Sequence, residues 1–396
     1  MQSANLLIFM KKILFLSYLL AACVTSVAQA EDSYVGLYLN SGSKTIEGDL
    51  EVNHLQLDVG ATSLKVTGDI VINANLDGTK FNKDNRNIPN IIDSNKPANV
   101  YYYISDSVQG LIGSSVGGNT TLEANSITYN VLSANGSDEF TVRGTIKTNK
   151  FTVSASEGCS ARLNLMASSG RIESLSEEPG ILEIGANVLC TAGFPSQNYA
   201  AVVHNMNTVV NGGTLEVADY VTMSGITLES GSVKVKKGSA KSPIDLGDIV
   251  INDGTFTMEE AAIVSDMTLN GGTLDIAGNI STGALTLIDG TLNFSGDYVI
   301  DLGEESLILG DNVAITLNVD SLDNIEGVTL FKTTGNVSGL DELTVTFVDA
   351  TGTEKKAAVS FSNGSVVTGT IPEPTTATLS LLALAGLAAR RRRASR

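Results

Sequence analysis

One short unit recurs between residues 208 and 294, and it limits what this chain can fold into more than any other feature. It reads Asn211-Gly212-Gly213-Thr214-Leu215-Glu216-Val217, then Glu229-Ser230-Gly231-Ser232-Val233-Lys234-Val235, Asn252-Asp253-Gly254-Thr255-Phe256-Thr257-Met258, Asn270-Gly271-Gly272-Thr273-Leu274-Asp275-Ile276 and Ile288-Asp289-Gly290-Thr291-Leu292-Asn293-Phe294. The shared Gly stands at 213, 231, 254, 272 and 290, spaced by 18, 23, 18 and 18 residues. A short, nearly constant period of this kind marks a solenoid, in which each coil buries its inner face only by stacking on its neighbours. The one long interval holds Lys236 to Pro243, a polar Gly/Pro stretch that reads as a loop inserted into one coil.

Strand alternation assigns the side chains, because successive residues face opposite sides of a sheet. After the Gly, the pairs Leu215/Val217, Val233/Val235, Phe256/Met258, Leu274/Ile276 and Leu292/Phe294 point inward as apolar ladders. Before it, Ile226/Leu228, Ile249/Ile251, Met267/Leu269 and Leu285/Leu287 do the same. Asn-Gly or Asp-Gly supplies the positive φ that a sharp corner between two strands needs. A looser Gly-Asp-apolar start recurs at Gly48-Asp49-Leu50, Gly68-Asp69-Ile70, Gly247-Asp248-Ile249 and Gly296-Asp297-Tyr298. The expected fold is therefore all-β, a parallel β-helix or β-solenoid running from about 44 to 310 within a passenger of residues 31–310. Residues 75–100, rich in Asn, Asp, Lys and Pro, form an inserted loop. Tyr101-Tyr102-Tyr103 follows it, readable as a glycan-stacking platform or as plain re-entry into the coil. Residues 311–370 stay strand-like but lose the period, and they read as a β-rich cap over the open solenoid end.

Charge narrows the partners. The ends carry a surplus of +2 (Lys11, Lys12) and +4 (five Arg against Glu373), so residues 31–371 hold −24 where the whole chain holds −18. Such a surface repels nucleic acid and anionic membranes.

Residues 1–30 have the layout of a signal peptide: Lys11-Lys12, the apolar run Ile13–Ala22, and a small-x-small cleavage site at Ala28-Gln29-Ala30. Met10 is a more usual start than Met1. Leu20-Ala21-Ala22-Cys23 offers a competing lipoprotein site, with Cys23 acylated. Export leaves Cys159 and Cys190, either as a disulfide between nearby coils or as two buried thiols that never meet.

The opposite end, residues 371–396, is a compact address. Pro372-Glu373-Pro374 precedes an apolar segment, 375–389, and a basic end, 390–396, that begins with Arg390, Arg391, Arg392 and Arg393. From Ala377 to Ala389 a helix would span about 20 Å at ~1.5 Å per residue, against a hydrocarbon core of ~30 Å. A transient stop, with the Arg cluster held on the cytoplasmic side, suits that length better than a permanent anchor.

The tail resembles the PEP-CTERM sorting signals of Gram-negative bacteria. The NGGTL-type units resemble the autotransporter-associated β-strand repeats of bacterial surface proteins. The first resemblance covers the tail alone and implies a short C-terminal membrane helix, transient residence in the inner membrane and processing by an exosortase-type membrane enzyme. The second implies an exported passenger at the cell surface or in the extracellular matrix, where surface glycans are candidate partners.

Catalytic material is sparse. With only His54 and His204 in the chain, a His-based triad or zinc site has little to draw on. Neither calcium-binding nonapeptides nor a phosphate-cradling Gly loop opening a helix is present, so no cofactor or metal site is expected. A carbohydrate-active β-helix enzyme, lyase or hydrolase, is the alternative, and it needs clustered carboxylates on one face. The outward ladder Glu216, Lys234, Thr257, Asp275, Asn293 places no two carboxylates on adjacent coils, with Glu216 facing Lys234. Asp245, Asp248, Asp253, Glu259, Glu260 and Asp266 lie on other faces. The row Thr214, Ser232, Thr255, Thr273, Thr291 suggests a surface-binding face but lacks a matching second row. The sequence is thus read as a non-enzymatic structural or adhesive surface protein.

Overall fold

A computed structural model describes residues 35–369, apart from 40–41, 58–60, 75–80, 83–99, 105–107, 110–113, 133–136, 166–169, 194–200, 237–243, 260, 324 and 342. Every regular element among the described residues is a β-strand, and none of them is a helix long and apolar enough to cross a membrane. The expected signal peptide with Ala28 and Ala30, the tail 371–396 with its expected helix, and nearly all of the expected loop 75–100 lie outside the described residues.

The strands wind in parallel about one axis, three per coil. The approach sheet holds the strand before each Gly corner. Its register runs Leu50↔Ile70↔Ile127↔Phe151↔Leu182↔Thr208↔Ile226↔Ile249↔Met267↔Leu285↔Leu307. The exit sheet holds the strand after the corner, in register through Cys190↔Leu215↔Val233↔Phe256↔Leu274↔Leu292↔Ile315↔Val345. A third sheet closes each coil with short strands such as Val221–Met223, Ile263–Val264 and Ile280–Thr282.

All nine inward pairs expected from alternation are buried, none of their residues more than 1% exposed. They join a single apolar core that runs from Leu37 to Val366. Each fully buried Val, Leu, Ile, Phe or Met side chain contributes ~1.5–3 kcal/mol, but only when the next coil covers it. Aromatic rings pack within this core, with Phe140 edge-on to both Tyr129 and Phe151 at centroid distances of 5.3 and 5.5 Å.

The corner glycines have two reasons to be glycine. Gly231, Gly254, Gly272 and Gly290 have φ between +70° and +103°. A Cβ on Gly254 or Gly272 would also lie 2.5 Å from the carbonyl oxygen of the Gly stacked beneath it. In the first unit the positive φ falls on Gly212 instead of the shared Gly213, where the register slips between Asn211 and Thr214.

The expected boundary at 310 is not where the pairing changes. Thr344–Val348 still stacks in parallel on Ile315–Asn318, so the winding continues. The regular period fades because the coil between Ile315 and Val345 is longer than the coils that carry Leu215, Val233, Phe256, Leu274 and Leu292. Antiparallel pairing begins only with Glu354–Ser362, which lies between Thr344–Val348 and Ser365–Gly369. Ser365–Gly369 in turn pairs with Thr329–Lys332 of the third sheet. This hairpin joins the last strands of two sheets across the end of the rod. At the other end, Val100–Ile104, which contains the three consecutive tyrosines, pairs antiparallel with Val35–Leu39.

Candidate functional site

The outward faces are where a solenoid would carry its function, and each is a set of columns at the coil spacing. On the exit sheet, Thr214, Ser232, Thr255, Thr273 and Thr291 stack in register, and the Thr214 and Ser232 hydroxyls are bonded at 3.1 Å. The next column reads Glu216, Lys234, Thr257, Asp275, Asn293, as the sequence indicates. Glu216 does stand beside Lys234, but the ion pairs run diagonally, Lys236 to Glu216 at 2.6 Å and Lys234 to Glu259 at 2.8 Å. Glu259 thereby holds the Lys234 ammonium above its ordinary pKa. Long side chains reach a partner one step away along the strand, which nearest-neighbour register alone does not show.

Asp245, Asp248, Asp253 and Asp266 are turned onto backbone. Asp248 and Asp266 occupy the same corner position on consecutive coils, a juxtaposition that the exit ladder does not reveal. Asp248 accepts the Asp266 N–H at 3.3 Å, and Asp266 accepts the Ala284 N–H at 2.8 Å. Asp49 and Asp69 repeat the device, accepting from Asp69 N–H at 2.9 Å and Ser126 N–H at 3.1 Å. The Asn125 side-chain amide also donates to Asp69 at 2.9 Å, and these bonds keep that carboxyl below its ordinary range. The Gly-Asp-apolar starts at Asp49, Asp69 and Asp248 are thus corner clasps, in which the carboxylate of one coil satisfies an amide of the next. Asp253 accepts from Gly254 N–H at 2.7 Å and Asp245 from Gly247 N–H at 3.3 Å. Glu260 is outside the described residues. Among the described residues no group of three or more His, Cys, Asp or Glu is placed to hold a metal ion.

The third sheet carries a charge ladder that sequence reasoning missed. Lys65, Glu123, Lys147, Glu173 and His204 are consecutive partners across five coils. Lys65 pairs with Glu123 at 2.5 Å and Lys147 with Glu173 at 2.9 Å, while Arg171 also reaches Glu173. Burial alone would push the Glu173 carboxyl up, but hydrogen bonds from Lys147 and Arg171 outweigh it and hold the group below its usual range. Irregular coil lengths hide this alternation from a linear reading.

No family model, curated protein or solved structure matches this chain.

The interior contains polar groups with structural roles. Asp138 points into the core beside Tyr129, and desolvation raises its pKa even though the nearby Tyr129 hydroxyl and the Glu139 N–H, which donates to it at 2.8 Å, both favour the ionised form. His54 is buried and its pKa is lowered to about 4, chiefly by desolvation, so it is neutral at neutral pH. Cys159 and Cys190 are buried and are not joined in a disulfide. Ala161 pairs with Val188 and Leu163 with Cys190, which sets the two cysteines four strand positions apart, about 13 Å at ~3.3 Å per residue.

Proposed function

We propose that this chain is an exported, non-enzymatic rod displayed at the cell surface or released into the extracellular matrix, with a structural or adhesive role. The observation that carries this reading is the use made of the outward side chains. Many acids, amides and hydroxyls that could serve a catalytic centre bond instead from coil to coil, as in Asn270 to Asn252 at 2.8 Å and Asn293 to Asp275 at 2.8 Å. A surface built this way stabilises length, which suits display.

The finer reading is a parallel β-helix with a signal peptide ahead of it and a PEP-CTERM-like tail behind. Pro372-Glu373-Pro374 is the processing region for an exosortase-type enzyme, and 375–389 is a short membrane helix held transiently by Arg390–Arg393. Mass spectrometry of the protein taken from its native cell surface tests this directly. The expected product begins at Glu31 and ends near Pro372; a mature surface form that retains Arg396 would defeat the sorting proposal.

A further inference from the structure

The outer face of the approach sheet has a central column of β-branched residues. Thr227, Val250, Thr268, Thr286 and Ile308 follow one another in register on consecutive coils. No charged side chain interrupts them, although residues 31–371 carry −24. The column ends in two half-exposed isoleucines, Ile308 at 46% and the flanking Ile288 at 52%.

The flanking columns differ from each other. On one side, Gly225, Asp248, Asp266, Ala284 and Ser306 precede the column by two residues. On the other, Glu229, Asn252, Asn270, Ile288 and Gly310 follow it by two. Rotating a second copy by 180° about an axis along the column brings the two unlike flanks together. Asp248 and Asp266 then face the amides of Asn252 and Asn270, Glu229 meets only Gly225, and the small Ala284 faces the bulky Ile288. Rotation about an axis along the strands would instead oppose carboxylate to carboxylate. A second copy also has the same repeat of about 4.8 Å by construction, so every row meets a row.

We infer that this face pairs two copies of the chain side by side and parallel, through an isologous contact whose two-fold axis follows the Thr227–Ile308 column. The footprint, five coils of ~4.8 Å by four strand steps of ~3.3 Å, is about 300 Å² per copy, below the ~800 Å² of a standard stable interface. The pair is therefore weak when free and strengthened when many copies are tethered to one surface. The pairing rests on this face alone; only its strengthening by tethering rests on the proposed surface display.

Self-cross-linking tests the geometry. In the full chain carrying Cys23→Ser, with Cys159 and Cys190 buried, Thr227→Cys and Thr286→Cys are made one at a time, with Thr222→Cys on the third sheet as control. Both test variants should give a disulfide-linked dimer under mild oxidation, with a yield that rises with concentration, and the control should not. Adding Val250→Asp should reduce the yield at least several-fold. Cross-linking from only one test site, from neither, or equally from Thr222→Cys overturns the parallel pairing, as does a yield indifferent to Val250→Asp.

Discussion

The side-chain amide of Asn293 donates to the carboxylate of Asp275, one coil away, at 2.8 Å. The two residues are distant in sequence and adjacent in register. Bonds of this kind fix the stacking of coils from outside while the apolar pairs fix it from within.

Asn293→Ala removes that bond and leaves its partner half-exposed, where water can replace it. A loss of about 0.5–1.5 kcal/mol is expected, read as a lower urea midpoint at unchanged m-value.

Two glycine substitutions separate conformational strain from collision. Gly303 has φ +60° with nothing within 4 Å of an added Cβ, so Gly303→Ala should cost about 1–2 kcal/mol, the left-handed penalty alone. Gly290 has φ +103°, and a Cβ there would sit 2.7 Å from the Gly272 carbonyl oxygen. Gly290→Ala should cost clearly more, because the coil beneath must move as well. Equal midpoint shifts for the two variants would argue against the stacked-corner account.

Asp138 gives stability a pH dependence of definite sign. Its folded pKa is raised above the usual 3.8, chiefly by desolvation. Its favourable contribution is thus complete below the unfolded pKa and is lost as pH rises through the folded value. Asp138→Asn keeps an acceptor for the Glu139 N–H and carries no charge. It should stabilise the protein at neutral pH and remove the part of the pH profile that lies above the ordinary carboxylate range; equilibrium denaturation across pH checks both.

Cys190 should be inert in the folded protein. Burial pushes its pKa up to about 12, and the thiolate is the reactive form. A disulfide needs Cα atoms within about 7 Å, whereas the register sets Cys159 and Cys190 about 13 Å apart. Thiol titration should therefore find both cysteines only after denaturation, with no intramolecular bridge by non-reducing mass spectrometry.

The two sheets flanking the Gly corner were legible because their inward pairs repeat at a nearly constant interval; Phe256 and Met258 fall where Leu274 and Ile276 do. The third sheet was not, since strands as short as Ile263–Val264 carry no pattern of their own and are recognisable only when stacked. The long coil between Ile315 and Val345 made a continuing solenoid look like a separate cap. For the surface, Glu216, Lys234 and Asp275 could be placed on the right column from sequence. Their partners could not, because Lys236 and Glu259 enter from neighbouring positions through flexible side chains. The Asp248/Asp266 clasp needed backbone amides, whose direction a sequence does not give.

The closing hairpin also has a mechanical meaning. Ser365–Gly369, the last described strand, is bonded on one edge to Glu354–Ser362 and on the other to Thr329–Lys332. A pull transmitted along it from the chain that follows loads two ladders of backbone bonds together, in shear. A lone edge strand would peel away one bond at a time. The end of the rod that finishes at Gly369 is thus built to bear tension along the chain.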